Sequence, residues 1–149
     1  MECASPLALW NDASSAVALQ VWVKVGSADE RQGEHGLAHV HEHMLFKGTD
    51  RRGVGRIAAE IEAAGGEINA YTSFDQTVYH VVLSGRFFDV GLDILADAVQ
   101  HSAFDAVELE RELEVVVEEI RRGEDAASRV ASKRFFATAF AEHPYARPV

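Results

Sequence analysis

Cysteine is nearly absent from this sequence, with Cys3 the only one in 149 residues. An intrachain disulfide is therefore excluded, which fits a reducing compartment but leaves an export route open. The sequence has no apolar run long enough to span a bilayer. Residues 1–6 (MECASP) also lack the basic region followed by an apolar stretch that defines a signal peptide. We therefore expect a cytoplasmic location by default, or export if the natural N-terminus extends further.

Positive charge is also scarce, because 14 lysines and arginines face 24 acidic residues and give a net charge of -10. Such a surface repels phosphate backbones, so a nucleic-acid partner is not expected. The length predicts one domain over residues 1–149, and 48% apolar with 26% charged residues is ordinary for a globular protein. The chain starts almost inside its first apolar segment and stops abruptly at residues 147–149 (RPV). We therefore expect a domain that is truncated at both ends.

Apolar periodicity divides the chain into strands and helices. Residues 16–25 alternate as in a strand with a buried face. Asp105 and Glu108 form a capping box that starts one helix, and Gly123 is its expected end. Two consecutive strands among runs of helices favour an α+β fold, with a mixed, antiparallel-rich sheet packed against helices. The predicted elements are a strand at 16–25, helices at 37–47 and 54–64, a hairpin of strands at 67–72 and 77–83, and helices at 86–101, 105–122 and 125–140.

A cluster of histidines lies in the first predicted helix, in the segment His-Val-His-Glu-His at residues 39–43. Residues four apart share a helix face, so His39 and His43 project together and are able to hold one metal ion. Zinc accepts imidazole ligands and keeps one position for water in catalytic sites. Glu42 lies over the same face, where a carboxylate takes the proton from the activated water. The pattern His-x-x-Glu-His is the inverted form of a known zinc signature.

Two other histidines compete for these roles. His41 is two positions from each neighbour and points away from them, so we interpret it as a non-ligand. His35 is four residues before His39, but the glycines around it leave its helical phase undefined. The alternative interpretation is that a solvated helix face carries these histidines by chance.

The helix predicted at 105–122 is the place to look for a third ligand, because two histidines leave a catalytic zinc one protein ligand short. Glu112 and Glu119 are seven residues apart and therefore stand in one column. Neither has a basic residue four positions away. A buried carboxylate of this kind usually finds a counter-charge or a metal, although both residues are equally able to flank the core and reach water. The column borders the apolar stripe of Leu109, Leu113, Val116, Val117 and Ile120.

The remaining glutamates of this helix have basic neighbours. Glu118 is followed four residues later by Arg122, and Glu114 is preceded three residues earlier by Arg111. These two glutamates are therefore expected on the solvated, charge-paired face. The pattern separates Glu112 and Glu119 from them but does not choose between the two.

Residues 36–49 (GLAHVHEHMLFKGT) resemble the active-site helix of the insulinase-like (pitrilysin, M16) metallopeptidases, a family that includes the mitochondrial processing peptidase. The likeness covers nearly the whole chain in order. It includes the strand and turn before that helix, an edge-strand segment, a glutamate-bearing helix and the segment that follows. The matching stretches are residues 22–27 (WVKVGS), 65–73 (GGEINAYTS), 115–120 (VVVEEI) and 143–148 (HPYARP).

The resemblance implies a role for each of these site residues. His39 and His43 would be zinc ligands, Glu119 the third ligand to the single zinc ion, and Glu42 the general base. Glu112 would support the site. The implied function is a zinc-dependent metalloendopeptidase module that hydrolyses peptide bonds through metal-activated water.

The resemblance also implies two partners. Asn69 and Ala70, on an exposed edge strand, would pair with the backbone of an extended peptide or protein substrate. Family members have a second, similar half or a partner subunit that contributes an Arg-Tyr pair, and this sequence stops before such a half. One alternative is therefore a non-catalytic scaffold subunit. Another is a zinc hydrolase of small molecules, which a closed pocket without an accessible edge strand would favour.

Overall fold

The computed structural model describes residues 15–147, which form three strands and five helices with short 3-10 turns between them. The signal-peptide prediction for residues 1–6 and the family resemblance at Pro148 fall outside the described residues. The α+β prediction is confirmed. The elements are β1 (Ala16–Val23), α1 (Leu37–Leu45), α2 (Arg56–Ala63), β2 (Glu67–Thr72), β3 (Thr77–Ser84), α3 (Phe88–His101), α4 (Ala106–Asp125) and α5 (Ala127–Ala139), with 3-10 turns at Ser27–Asp29, Gly85–Phe87 and Pro144–Ala146.

The sheet has the strand order β1-β3-β2, and both pairings are antiparallel. The predicted hairpin is therefore present, and β2 is an edge strand among the described residues. Tyr79 of β3 lies opposite Val21 of β1 and Ala70 of β2. Since side chains alternate along a strand, these three residues share the inner face of the sheet.

The core lies between that inner face and helices α1, α2 and α3. Alternation in β1 is confirmed, because its odd-numbered residues are half-buried and its even-numbered residues are exposed. Gly91 lets α3 approach β3 closely, since a Cβ atom there would lie 2.5 Å from Leu83. The buried apolar cluster is formed by Leu45, Ile57, Ile61, Tyr79, Val81, Leu83, Ile94, Leu95 and Ala98.

Helix α4 differs from the prediction in its end. It continues through Gly123 to Asp125, and α5 follows after Ala126. The Arg129 side chain of α5 lies 3.5 Å from the position that a Cβ atom of Gly123 would occupy. The small residue thus accommodates a neighbouring side chain rather than ending the helix.

The apolar stripe of α4 is mostly exposed, which contradicts the expectation of a buried face. Val116 is buried, but Leu113, Val117 and Ile120 are 44%, 44% and 52% exposed. The reason is that α4 packs along α1 and α5 rather than across the sheet. A helical period identifies an apolar face but not the surface that covers it.

Two predicted ion pairs of α4 are also wrong. Glu118 pairs with Arg121, three residues ahead, rather than with Arg122. Arg111 pairs with Glu108 rather than with Glu114. Spacings of three and four both bring side chains together on a helix, so a pairing at one spacing does not exclude the other. No helix of residues 15–147 has the length and apolar character needed to cross a membrane.

Candidate metal centre

His39 and His43 of α1 and Glu119 of α4 converge on one point. Their nearest atoms form a triangle, with 3.2 Å between the two Nε2 atoms, 3.5 Å from His39 Nε2 to Glu119 Oε2, and 3.6 Å from His43 Nε2 to the same oxygen. The histidine side chains are less than one-fifth exposed, whereas the Glu119 side chain is 42% exposed. These residues form the one group of three in the described chain that is able to hold a metal ion.

The dimensions of this triangle fit a tetrahedral zinc ion. Ligand atoms about 2.0–2.1 Å from zinc at tetrahedral angles are about 3.3 Å from one another. The three measured edges, 3.2, 3.5 and 3.6 Å, lie close to that separation. Two imidazole nitrogens and one carboxylate oxygen are a donor set of catalytic zinc sites, in which the fourth position is open. The residues present therefore fit such an ion without rearrangement.

Glu112 supports the site from α4. Its Oε2 lies 3.1 Å from His43 Nδ1, and its Oε1 lies 2.6 Å from Lys47 Nζ. Burial favours the neutral acid, but the hydrogen bonds from Lys47 and His43 outweigh it and hold the pKa of Glu112 below its usual range. The carboxylate is thus an acceptor, so His43 donates its Nδ1–H and keeps the Nε2 lone pair for a metal.

Glu42 lies beside the triangle and is not part of it. Its Oε2 accepts a hydrogen bond from the Thr72 hydroxyl at the end of β2. This bond fixes one carboxylate oxygen and leaves the other available to a water or substrate proton. Burial and the nearby Glu42 charge raise the pKa of Tyr79 to about 12, so that phenol stays neutral.

The competing histidines point elsewhere. His41 Nδ1 lies 3.0 Å from the Tyr79 hydroxyl, and its ring contacts Phe104 with centroids 5.0 Å apart. His35 lies in an exposed turn before α1. Neither belongs to the group that converges on Glu119.

Asn69 and Ala70 lie on the edge strand β2. The Ala70 N–H donates to the Asn69 side-chain carbonyl at 2.8 Å, so it points to the free edge rather than to β3. In antiparallel sheets the N–H and C=O of one residue point to the same side, and the side alternates along the strand. Ala70 and Ile68 therefore present backbone groups to the free edge.

The sequence alone did not predict a role at the site for two residues, Lys47 and Thr72. Lys47 is four residues after His43 and lies just past the end of α1, where a spacing of four still indicates the side of the helix that carries His43. Thr72 is two residues after Ala70 and four after Ile68, so alternation places its hydroxyl on the inner face. These spacings are the signals that would have identified both residues.

Comparison with known proteins supplies the family. The model of a family described as Insulinase (Peptidase family M16) matches residues 7–149. The chain belongs to this family.

Relatives of the chain from bacteria and plants match it over nearly its whole length. It is 38% identical over 91% of its length to an uncharacterized zinc protease of Rickettsia bellii, and 38% identical over 93% to a probable mitochondrial-processing peptidase subunit beta of Arabidopsis thaliana. The crystal structure of a protease from Helicobacter pylori superposes with a TM-score of 0.83 at 35% identity over 88% of the chain. The match covers 33%, 26% and 32% of these three proteins, so this M16 chain spans about a quarter to a third of their length.

Proposed function

We propose that this chain is the catalytic module of a zinc-dependent metalloendopeptidase that hydrolyses peptide bonds in extended polypeptides. The observation that carries the proposal is the triangle of His39, His43 and Glu119, with Glu42 beside it. The Rickettsia bellii relative is named a zinc protease, which supports zinc as the metal, and the Arabidopsis thaliana relative is named a peptidase subunit, which supports peptide hydrolysis.

Glu42 is the general base of the proposed reaction. When bound, zinc would act as a Lewis acid that polarises the scissile carbonyl and lowers the pKa of a water molecule. Glu42 removes a proton from the attacking water and later delivers it to the leaving amine. The Thr72 hydroxyl holds the carboxylate in place during both transfers. Glu112 keeps His43 in the tautomer that a metal ligand requires.

The substrate is an extended polypeptide that adds as a strand to the free edge of β2. Ala70 already directs its N–H to that edge, where Asn69 satisfies it in the absence of a peptide. An open edge strand beside the triangle supports a polypeptide substrate over a small molecule. A backbone-pairing mode also implies modest selectivity for most side chains.

A second M16 half or a partner subunit completes the proposed enzyme. The chain spans only about a third of the length of several relatives, so most of their length has no counterpart in this sequence. A non-catalytic scaffold, the alternative function, would have no need of the contacts of Glu42, Glu112 and Lys47. Those contacts favour the catalytic function.

A peptide-library assay tests this proposal. The purified chain is incubated with mixed peptides, with and without a chelator, alone and with the C-terminal half of a relative supplied. We expect chelator-sensitive cleavage that requires or is strongly enhanced by the added half. Glu42→Gln should retain zinc but abolish cleavage, and Glu62→Gln, an exposed change on α2, should be silent. Cleavage that resists chelation, or full activity of Glu42→Gln, would refute the proposal.

A further inference from the structure

A cavity of about 390 Å³ lies where the β2–β3 turn, helix α5 and the segment after α5 meet. Its apolar walls are the rings of Phe74 and Phe136, which contact each other with centroids 4.9 Å apart. Its polar lining includes two serines and three cations. The residues that matter for its chemistry are Phe74, Arg129, Ser132, Lys133, Phe136 and Arg147.

Two of the three cations of this cavity, Arg129 and Lys133, are largely without ionic partners among the described residues. Within residues 15–147, Lys133 forms no ion pair, and Arg129 has one distant contact, 3.9 Å from its Nη1 to Glu119 Oε1. The Arg129 side chain is 64% exposed. The whole chain carries a net charge of -10, so a cavity lined by three cations stands out from its surroundings. A cavity with this local positive charge attracts an anion.

Arg147 adds an independent sign of a missing acceptor. Its Nη2 group donates to the carbonyl oxygens of Ser27, Ala28 and Glu30 at 3.4, 3.4 and 3.0 Å. These bonds fix the guanidinium at the cavity wall. Its Nε atom is buried and has no hydrogen-bond partner among the described residues. Buried donors in native proteins are usually paired, so this unpaired N–H is an exception that needs an explanation.

The position of the cavity relates it to the metal centre. Phe74 is two residues past the end of β2, so the cavity lies at the turn end of that edge strand. Arg129 also lines a second groove, of about 700 Å³, which includes Glu119 between α4 and α5. Arg129 thus borders both the cavity and the groove that includes the proposed zinc ligand Glu119.

We infer that this cavity binds a carboxylate of the substrate and that Arg129 and Lys133 determine this specificity. The carboxylate is that of an acidic side chain or of the substrate's C-terminus, since both have the same acceptor geometry. The aliphatic part of the ligand lies between Phe74 and Phe136. The inference rests on the proposed function in so far as it takes the substrate to be a polypeptide.

Peptide binding, measured by fluorescence anisotropy, tests the inference without requiring cleavage. Four labelled peptides of one sequence carry either Glu or Gln at an internal position and either a free or an amidated C-terminus. We expect the chain to bind one carboxylate form roughly three- to tenfold more tightly than its neutral counterpart, with the preference weakened by salt. The internal and terminal arms identify which carboxylate is bound.

Substitutions on α5 test which cations cause the preference for carboxylate peptides. Arg129→Gln and Lys133→Gln should each reduce the preference for the carboxylate peptide. Arg134→Gln is the matched control, because Arg134 is an exposed cation on the same helix that does not line the cavity. It should leave the preference unchanged.

Three results would overturn the inference: no binding of any peptide, equal affinity for charged and neutral peptides, or an equal loss in Arg134→Gln. Zinc content and chelator-sensitive cleavage are measured on the same preparations. A carboxylate preference without zinc or cleavage would contradict the proposed function and leave this inference standing. Zinc-dependent cleavage without a carboxylate preference would contradict this inference and leave the proposed function standing.

Discussion

His43 donates its Nδ1–H to Glu112 at 3.1 Å, so a carboxylate of α4 orients an imidazole of α1. The other oxygen of Glu112 accepts from Lys47 at 2.6 Å. These two bonds connect the helices that carry the three converging ligands. Metal affinity should therefore depend on Glu112, which is not a ligand itself.

The first prediction concerns Glu112→Gln. An amide bonds His43 more weakly and cannot neutralise Lys47, so zinc affinity should fall about 10- to 100-fold. Competition with a chromophoric chelator measures the affinity. Glu114→Gln, at an exposed position of the same helix, is the control and should leave the affinity unchanged. Equal affinities for the wild type and Glu112→Gln would show that the contact does not orient the ligand.

The second prediction concerns Thr72→Val, which removes the hydroxyl that bonds Glu42 and keeps the side-chain shape. Loss of this bond frees the carboxylate to rotate, so the turnover of the assembled enzyme should fall about tenfold. Zinc content should not change, because Thr72 is not one of the three converging ligands. Steady-state kinetics and metal analysis of one preparation measure both quantities. A parallel loss of zinc would assign Thr72 a structural role instead.

Local patterns in the sequence predict most of this fold. Alternation identifies β1, and helical spacing identifies the helices to within a few residues. The predicted hairpin also matches the bounds of β2 and β3 to within one residue. His39 and His43 also follow from a local pattern, because four residues separate them on one helix.

The remaining parts of the site depend on contacts between distant segments. Glu112 and Glu119 stand in one column of α4, but only the packing of α1 against α4 shows that Glu119 joins the histidines and Glu112 bonds His43. The exposed stripe of Leu113, Val117 and Ile120 shows the same limit. Hydrophobic periodicity reports which side chains share a face and contains no information about what covers it.

The third prediction concerns peptide binding at the edge of β2. Antiparallel pairing uses the backbone N–H groups of every second residue. Single N-methylation along a bound peptide should therefore weaken binding about three- to tenfold at alternate positions and have little effect between them. Anisotropy titration of the methylated series measures this pattern. Uniform effects along the peptide would contradict strand addition.

The fourth prediction concerns Asp97 of α3, whose side chain is fully buried. It accepts hydrogen bonds from Thr49 at 2.8 Å and Arg52 at 2.6 Å, which fasten the α1–α2 loop to α3. Asp97→Asn weakens both bonds, although Arg52 keeps Glu60 and Asp93 as partners, and should lower the free energy of unfolding by about 2 kcal/mol. Asp93→Asn, at a half-exposed position beside it, should have a much smaller effect.

The same carboxylate makes stability depend on pH. Burial alone would raise the pKa of Asp97, but the bonds from Thr49 and Arg52 hold it below its usual range. Its contribution is therefore complete above the unfolded-state pKa of about 3.9 and is lost as the pH falls through the lower folded-state value. Urea unfolding should show a difference between wild type and Asp97→Asn at about pH 7 that narrows toward about pH 3. A constant difference would mean that the charge is not responsible.

Zinc stoichiometry tests the central claim most directly. The chain is stripped with a chelator, titrated with zinc and analysed for bound metal by mass spectrometry under native conditions. We predict one zinc ion per chain, with binding greatly weakened in His39→Ala, His43→Ala and Glu119→Gln and retained in Glu118→Gln, an exposed neighbour on α4. A chain that takes up no zinc, or that binds zinc equally well after loss of both histidines, would contradict the claim.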